Sequence, residues 1–394
     1  MTERVSSPQA ADLSSEAASA LPAALPVTVA GVSAVAVADA APGQAVRHLA
    51  VCVDDFGLHE GVNQAVFDLL ALRRISAVSC LVDGPAWASG AAALRVAVRA
   101  PVNAPQCASR ALGGDVMDAG DACDAALAGY GEPLADVGLH LNFTEALDAA
   151  ASQHASAQQA PHLPVRLPVR PIGALIKACY MHQLDVPALV REIDRQWDLF
   201  EAVWGRAPDF IDGHQHAHQL PQIRDALLQV LRRRCQIALP DATSSAIGVS
   251  GRVTAVGPAP RPWVRQCRSP GWRGLLASVS LTDTLKAGII SALGAGSLGA
   301  QVAALGLPCS QRLLGVYPFD ADAQGYVARW RTWLQLARSH GDLLMCHPAA
   351  PQAQAPTLLD VIGPSRHMEH AVLCSEAFGQ LLRDAEVRVA RLGR

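Results

Sequence analysis

The sequence carries no surplus of basic charge: 32 Lys and Arg stand against 35 Asp and Glu, a formal net charge of -3. Proteins that neutralise phosphates along nucleic acid or an anionic membrane need a basic field, so the composition argues against both as general partners. Charged residues are also few, at 17%, against 51% hydrophobic ones. That balance excludes global disorder, and 394 residues are enough to bury a large core. No cysteines are paired as CxxC; Cys52, Cys80, Cys107, Cys123, Cys179, Cys235, Cys267, Cys309, Cys346 and Cys374 are spread singly. A zinc knuckle or redox dithiol of that spacing is excluded, and the cysteines read mainly as small apolar residues of a reducing compartment, so the expected location is cytoplasmic. The N-terminal region lacks the basic start and Leu-rich core of a signal peptide. Ala287 to Pro308 is a long uncharged stretch, but its Gly and Ala content keeps hydrophobicity modest. It is expected to form a buried helix or helix plus loop, without stable membrane insertion.

Residues 1–46 are rich in Ala, Pro and Ser and are expected to form a poorly ordered leader, with residues 47–394 as one domain. LAVCV at 49–53 is a short apolar run that ends abruptly in Asp54-Asp55-Phe56-Gly57, as a buried parallel strand does when it delivers polar residues at its carboxyl end. Val62, Val66, Leu69 and Leu70 then recur at helical spacing, and Ala77 to Val82 reads as a second strand. The same grammar returns in Asp136 to Asn142 and in Asp209 to His214. It returns again in Leu343 to Cys346, which runs into His347-Pro348. Helices are expected over Val186–Trp204, Pro221–Leu231 and Trp330–Ala337. Asn103 to Glu132 has too weak a pattern to divide, Ala146 to Arg166 reads as an excursion, and Thr243 to Trp272 as a long loop. Strands of this kind separated by helices imply an α/β fold with a parallel sheet or barrel, whose carboxyl-end loops gather the ligands.

Four strand ends, far apart in sequence, finish in Asp or His. Asp54 and Asp55 could share one cavity if the chain turns there, one binding a cation and the other taking a proton; a helix-capping role is the ordinary alternative for such a pair. His140, between Leu139 and Leu141, is a candidate ligand or a satisfied buried histidine. The run Asp212-Gly213-His214-Gln215-His216-Ala217-His218 is less ordinary, because borderline metals accept imidazole and carboxylate together. His214 is the expected ligand, with His216 and His218 nearer substrate or solvent; a turn after the strand would stop the three from sharing a face. His347 could donate a proton or hold an oxyanion, or be structural.

VDDFGLHEGVNQAV at 53–66, VGLHLNFT at 137–144, PDFIDGHQHAHQLP at 208–221 and MCHP at 345–348 resemble, in order, the motifs of the YdjC-like carbohydrate deacetylases. That group includes chitooligosaccharide deacetylase and a hopanoid-biosynthesis branch. The resemblance implies an irregular (β/α) barrel-like domain that removes an acetyl group from an N-acetylated sugar, oligosaccharide or glycolipid. It places the ligands of one divalent ion, Mg2+ or Zn2+, on Asp55, His140 and His214. It also places a general base on Asp54 and a proton donor or oxyanion holder on His347, whose imidazolium would then give the rate an alkaline limb. Two departures stand out: His59 replaces a small hydroxyl residue, and Ala349 replaces the glycine that usually follows His-Pro. Arg265 and Arg366 are candidate substrate-binding charges. A metal-dependent phosphoesterase and a non-catalytic metal-assisted glycan-binding protein are the alternatives, and a homodimer is left open.

Overall fold

The computed structural model describes residues 46–99, 132–147, 167–237, 261–271, 274, 280–352 and 360–392. Apart from Val46, the expected leader lies outside them, as do most of 103–132 and 146–166. The described chain is a curled, parallel α/β sheet wrapped by helices. Its strands are β1 (Arg47–Phe56), β2 (Ala77–Cys80), β3 (Asp136–Leu141), β4 (Phe210–Gly213), β5 (Trp263–Val264), β6 (Arg312–Leu314), β7 (Asp342–Cys346) and β8 (Val387–Val389). They run in the order β5-β4-β3-β2-β1-β7-β6, with β8 on the first residues of β1. The two edges meet: Val264 donates to the Pro308 carbonyl at 3.0 Å, Ser310 to that of Val264 at 3.0 Å, and Leu313 to that of Arg268 at 2.8 Å. The sheet therefore closes on itself as an irregular barrel.

Two apolar layers follow from the period of two along each strand. Ala50, Cys52, Ala77, Phe210, Trp263, Leu313, Leu343 and Met345 fill the interior. Their neighbours Leu49, Val51, Val53, Val78, Val137, Leu139, Ile211 and Leu344 face the helices. Gly138 is required at its place in β3, since a Cβ there would come within 2.5 Å of the Phe210 ring, which itself stacks on Trp263 at 4.2 Å.

The helices are α1 (Glu60–Ala71), α2 (Trp87–Ala97), α3 (Ile172–Tyr180), α4 (Val186–Trp204), α5 (Ile223–Arg234), α6 (Leu281–Ala292), α7 (Ala295–Ala304), α8 (Ala323–Leu336), α9 (Gly363–Cys374) and α10 (Glu376–Asp384). The amphipathic pattern of α4 buries Leu189, Ile193, Trp197, Phe200 and Trp204, and Gly205 ends it at φ +84°. Each such side chain contributes roughly 1.5–3 kcal/mol by leaving water.

One expectation is refined and one corrected. Ala287 to Pro308 spans the end of α6, then α7 and a short loop, with the two helices bent by 44° at their junction; α7 buries Ala295, Leu298 and Val302, whereas Ile289 of α6 stands exposed. No single helix among the described residues is long and apolar enough to cross a membrane. The supposed loop over 243–272 contains β5, a two-residue strand too short and too Pro-rich in its surroundings to be legible by periodicity.

Candidate metal centre

Alternation alone would send Asp54 into the barrel, in step with Ala50 and Cys52, and Asp55 outward. The chain breaks that rule with an extra residue. Val53 pairs with Val78 and Phe56 with Cys80, so three steps on β1 oppose two on β2, and the register shifts between them. Asp55 takes φ 69° within this bulge, a left-handed conformation that costs a non-glycine residue about 1–3 kcal/mol and persists where packing fixes it. Both carboxylates thereby reach the carboxyl-end mouth of the barrel.

There Asp55, His140 and His214 each offer one ligand atom, all within 4.8 Å of one another. His214 Nδ1 lies 2.9 Å and His140 Nε2 3.4 Å from the same Asp55 Oδ1. The other Asp55 oxygen accepts from Arg366 Nη2 at 2.7 Å. The far side of His140 is fixed too, with Nδ1 2.6 Å from Asp212 Oδ1 and 2.9 Å from Ser79 Oγ. That is the outer-shell carboxylate a ligating histidine ordinarily has. His214 Nε2 is 3.1 Å from Glu145 Oε1. Burial pushes both imidazoles down, but Asp212 more than offsets it for His140 and Asp55 for His214, raising them to about 10 and about 9. Protons thus hold the metal-free residues together where a cation would: Asp54, Asp55, Asp212 and Glu145 outnumber Arg265 and Arg366, and the surplus negative charge suits a divalent ion. The donor set and its outer shell fit the expected group.

Behind this cluster Arg265, fully buried, grips Asp54 through both Nη atoms at 2.6 Å each. It also reaches Asp212 Oδ2 at 2.7 Å and Cys52 Sγ at 3.0 Å. Burial raises the Asp54 carboxyl, yet Arg265 outweighs it and holds the group well below the usual carboxylate range. His347 stands with Nε2 3.8 Å from Asp54 Oδ2. Its backbone N–H donates to Glu369 at 2.7 Å, and its ring meets Phe319 edge-on at 5.2 Å. Burial lowers His347 to about 4, against the opposing pull of Asp54 and Asp55. This favours the neutral ring at rest in the metal-free protein, where the sequence suggested an imidazolium.

The histidine run diverges as a turn dictates. Gln215 and His216 both take left-handed φ, 51° and 60°, inside the 3-10 turn His214–Gln219. His214 goes to Asp55, His216 Nδ1 lies 3.6 Å from Cys267 Sγ, and His218 Nε2 meets the Arg265 carbonyl at 2.9 Å. His218 is fully buried and braces the strand end that carries Arg265. Arg366 is only 3% exposed; both it and Arg265 are engaged by internal carboxylates, so their placement is that of positioning groups rather than charges facing solvent. His59 belongs to the same web: its Nε2 is 3.4 Å from Asp360 Oδ2, which holds Arg366 Nε at 2.8 Å. Ala349 does not take a left-handed φ, so the missing glycine leaves the loop undisturbed; its N–H donates to the Arg366 carbonyl at 3.1 Å.

Sequence reasoning missed Ser79, Glu145 and Glu369, and gave Asp212 no role. Asp212 and Ser79 lie at inward positions of apolar strands, a signal that alternation could have supplied; nothing local marks Glu145 or Glu369.

A family model described as YdjC-like protein matches residues 48–384. The chitooligosaccharide deacetylases of Yersinia pestis (strain Pestoides F) and Yersinia pseudotuberculosis (serotype O:1b, strain IP 31758) are each 48% identical to this chain over 40 residues. That span is 10% of this chain and 16% of the length of each relative. A crystal structure of a protein from Enterococcus faecalis V583 named for cellobiose-phosphate cleavage aligns with TM-score 0.47 at 15% identity, covering 88% of this chain and 97% of that one.

Proposed function

From the membership of this chain in the YdjC-like protein family, matched over residues 48–384, we propose that it is a metal-dependent hydrolase that removes the acetyl group from an N-acetylated sugar, oligosaccharide or glycolipid. The carrying observation is the convergence of Asp55, His140 and His214 within 4.8 Å, beside an Asp54–His347 pair at 3.8 Å. Two imidazoles and one carboxylate suit zinc-class ions better than magnesium. A divalent ion held there would supply Lewis acidity, polarising the amide carbonyl and acidifying a water.

The chain's own residues do the rest. Asp54 stays ionised because Arg265 holds it and is aimed at the mouth, where it orients the attacking water and takes up its proton. It is a weak base for the same reason, so the proton passes readily to the neutral His347 nearby. The imidazolium formed in this way hands the proton to the departing sugar amine, which is a poor leaving group until protonated. Glu369, through its bond to the His347 N–H, fixes where that ring stands. A phosphoesterase would want free guanidinium groups at the mouth, and Arg265 and Arg366, the ones found beside the cluster among the described residues, are committed to carboxylates.

The test is acetate release from a panel of N-acetylated sugars, chitooligosaccharides and glycolipids by the metal-loaded protein, alongside phosphate release from sugar phosphates. Acetate release that is lost in Asp54→Asn, with metal content unchanged, supports the reading. Phosphate release without acetate would replace it with the phosphoesterase, and metal-dependent sugar binding without either product with the binding protein.

A further inference from the structure

Outside the barrel mouth, a second group of chemically capable side chains joins two helices. We propose that Asp68, His370 and Cys374 form a second divalent-metal site of the zinc class, tying α1 to α9. The donors come together by helix geometry: His370 and Cys374 are four residues apart on α9 and so share one face, and Asp68 approaches from α1. One ligand atom from each lies within 4.8 Å of the others, and His370 Nε2 is 2.8 Å from Asp68 Oδ2. All three are partly exposed, which leaves a path for the ion and a fourth position for water, as a tetrahedral site with three protein ligands needs.

The chemistry of the set is selective. Thiolate with imidazole and carboxylate suits zinc or cobalt and is foreign to magnesium or calcium, which take oxygen. The surroundings orient the donors. Gln64 Nε2 donates to Asp68 Oδ1 at 2.8 Å, which turns Oδ2 toward His370. Cys374 is the last residue of α9, where unsatisfied carbonyls give the helix its negative end and favour a cation. Arg74 donates to the carbonyls of Leu373 and Ser375, which fixes the end of α9 that carries Cys374.

The consequence reaches the barrel mouth mechanically. Helix α9 carries Arg366, bonded to Asp55, and Glu369, bonded to the His347 backbone, and α1 follows directly on the Asp54–Asp55 bulge. An ion on Asp68, His370 and Cys374 clips together the two helices that position these groups, while sharing no ligand with the mouth.

Cobalt titration of the metal-free full-length chain separates the sites, because a sulfur-to-cobalt charge-transfer band in the near ultraviolet needs a thiolate and Asp55, His140 and His214 offer none. The expected result is two equivalents bound, with the band tracking one of them. Cys374→Ser and His370→Ala should each lose the band and one equivalent, and His140→Ala should keep the band. Zinc should raise the Tm of the wild type by more than that of Cys374→Ser. A band that is absent from wild type, or that survives in Cys374→Ser because buried Cys52 supplies the sulfur, overturns the proposal. One equivalent with the band intact upholds this site and removes the one at the mouth, so the two readings fail separately.

Discussion

His140 and His214, the proposed metal ligands, carry protons that an ion would have to displace. Raised to about 10 and about 9 by Asp212 and Asp55 against the opposing effect of burial, both are imidazolium in the metal-free protein at neutral pH, and both must deprotonate to bind an ion. Two protons should leave per ion, so metal affinity should rise by about 100-fold per pH unit between pH 6 and 8. Calorimetry in buffers of different ionisation enthalpy measures that release, and an affinity flat across this range would place the ion elsewhere. The stability sign follows the same shifts. Folded values above the ordinary histidine value of 6.5 stabilise the metal-free fold fully below about pH 6.5, and this contribution is lost as pH rises through 9 to 10. His347 has the opposite displacement, so His347→Asn should keep the fold and the metal while kcat falls by roughly 100-fold or more. Its resting value near 4 means that the variant should not lose an alkaline limb. A kcat unchanged beside a modest rise in KM would make the ring part of the substrate wall and leave proton transfer to Asp54. The Asp-Asp, Gly-Leu-His and Asp-Gly-His motifs made the first-rank residues legible because each sits at a strand end. The partners that set their charge states come from elsewhere in the chain, and no local pattern announces Glu145 beside His214 or Arg366 beside Asp55.

The strands decide which side chains can meet, and where they break their own period they decide it most. Alternation carries Asp54, Ser79, His140, Asp212 and Arg265 inward. A one-residue bulge with Asp55 at φ 69° adds the carboxylate that alternation would have lost. The sequence marks the strands as short apolar runs at 49–53, 136–141 and 342–346 that end in Asp or His, and the helix over 186–204 has the expected bounds. It cannot show the bulge, whose extra residue is visible only against the partner strand. It also hides β5, where the pairing of Trp263 and Val264 with Phe210 and Ile211 comes from the closure of the sheet rather than from any local preference. β4 presents Asp212 to two strands at once: His140 on β3 and Arg265 after β5. Asp212→Asn removes the charge that keeps His140 Nδ1 protonated and its Nε2 free for the ion, without changing side-chain volume. The expected result is a 10- to 100-fold loss of metal affinity, the usual scale for an outer-shell partner, with His140 and His214 still in place. Metal titration of the purified variant checks it, and wild-type affinity would show that Ser79 alone suffices to orient the ring.

At the scale of the whole chain, the barrel is already closed by residues from position 47 onward. Arg47, the first residue of β1, donates to the Leu334 carbonyl at 2.7 Å, the Ala337 carbonyl at 3.2 Å and the Ala385 carbonyl at 2.6 Å. It thereby fastens the start of the central strand to the ends of α8 and α10. Its backbone N–H reaches Glu386 at 3.3 Å, and Arg47 to Leu49 pair with β8 from the far end of the chain. The start of the sheet is thus anchored by the last described elements of the protein, and among the described residues those at its mouth come from Asp54 onward. The composition also changes at this point, from Ala, Pro and Ser to the first apolar strand. Deleting residues 1–40 should therefore leave the metal stoichiometry unchanged, the rate of acetate release within about two-fold and the Tm within the few degrees that a surface change produces. The comparison needs the truncated and full chains purified side by side, metal-loaded, with melting followed in the presence and absence of chelator. A truncated chain that fails to give soluble folded protein, or that melts cooperatively at a much lower temperature, would mean that the first 40 residues stabilise the barrel and are no dispensable leader. A normal melt with activity lost would instead assign those residues to the substrate.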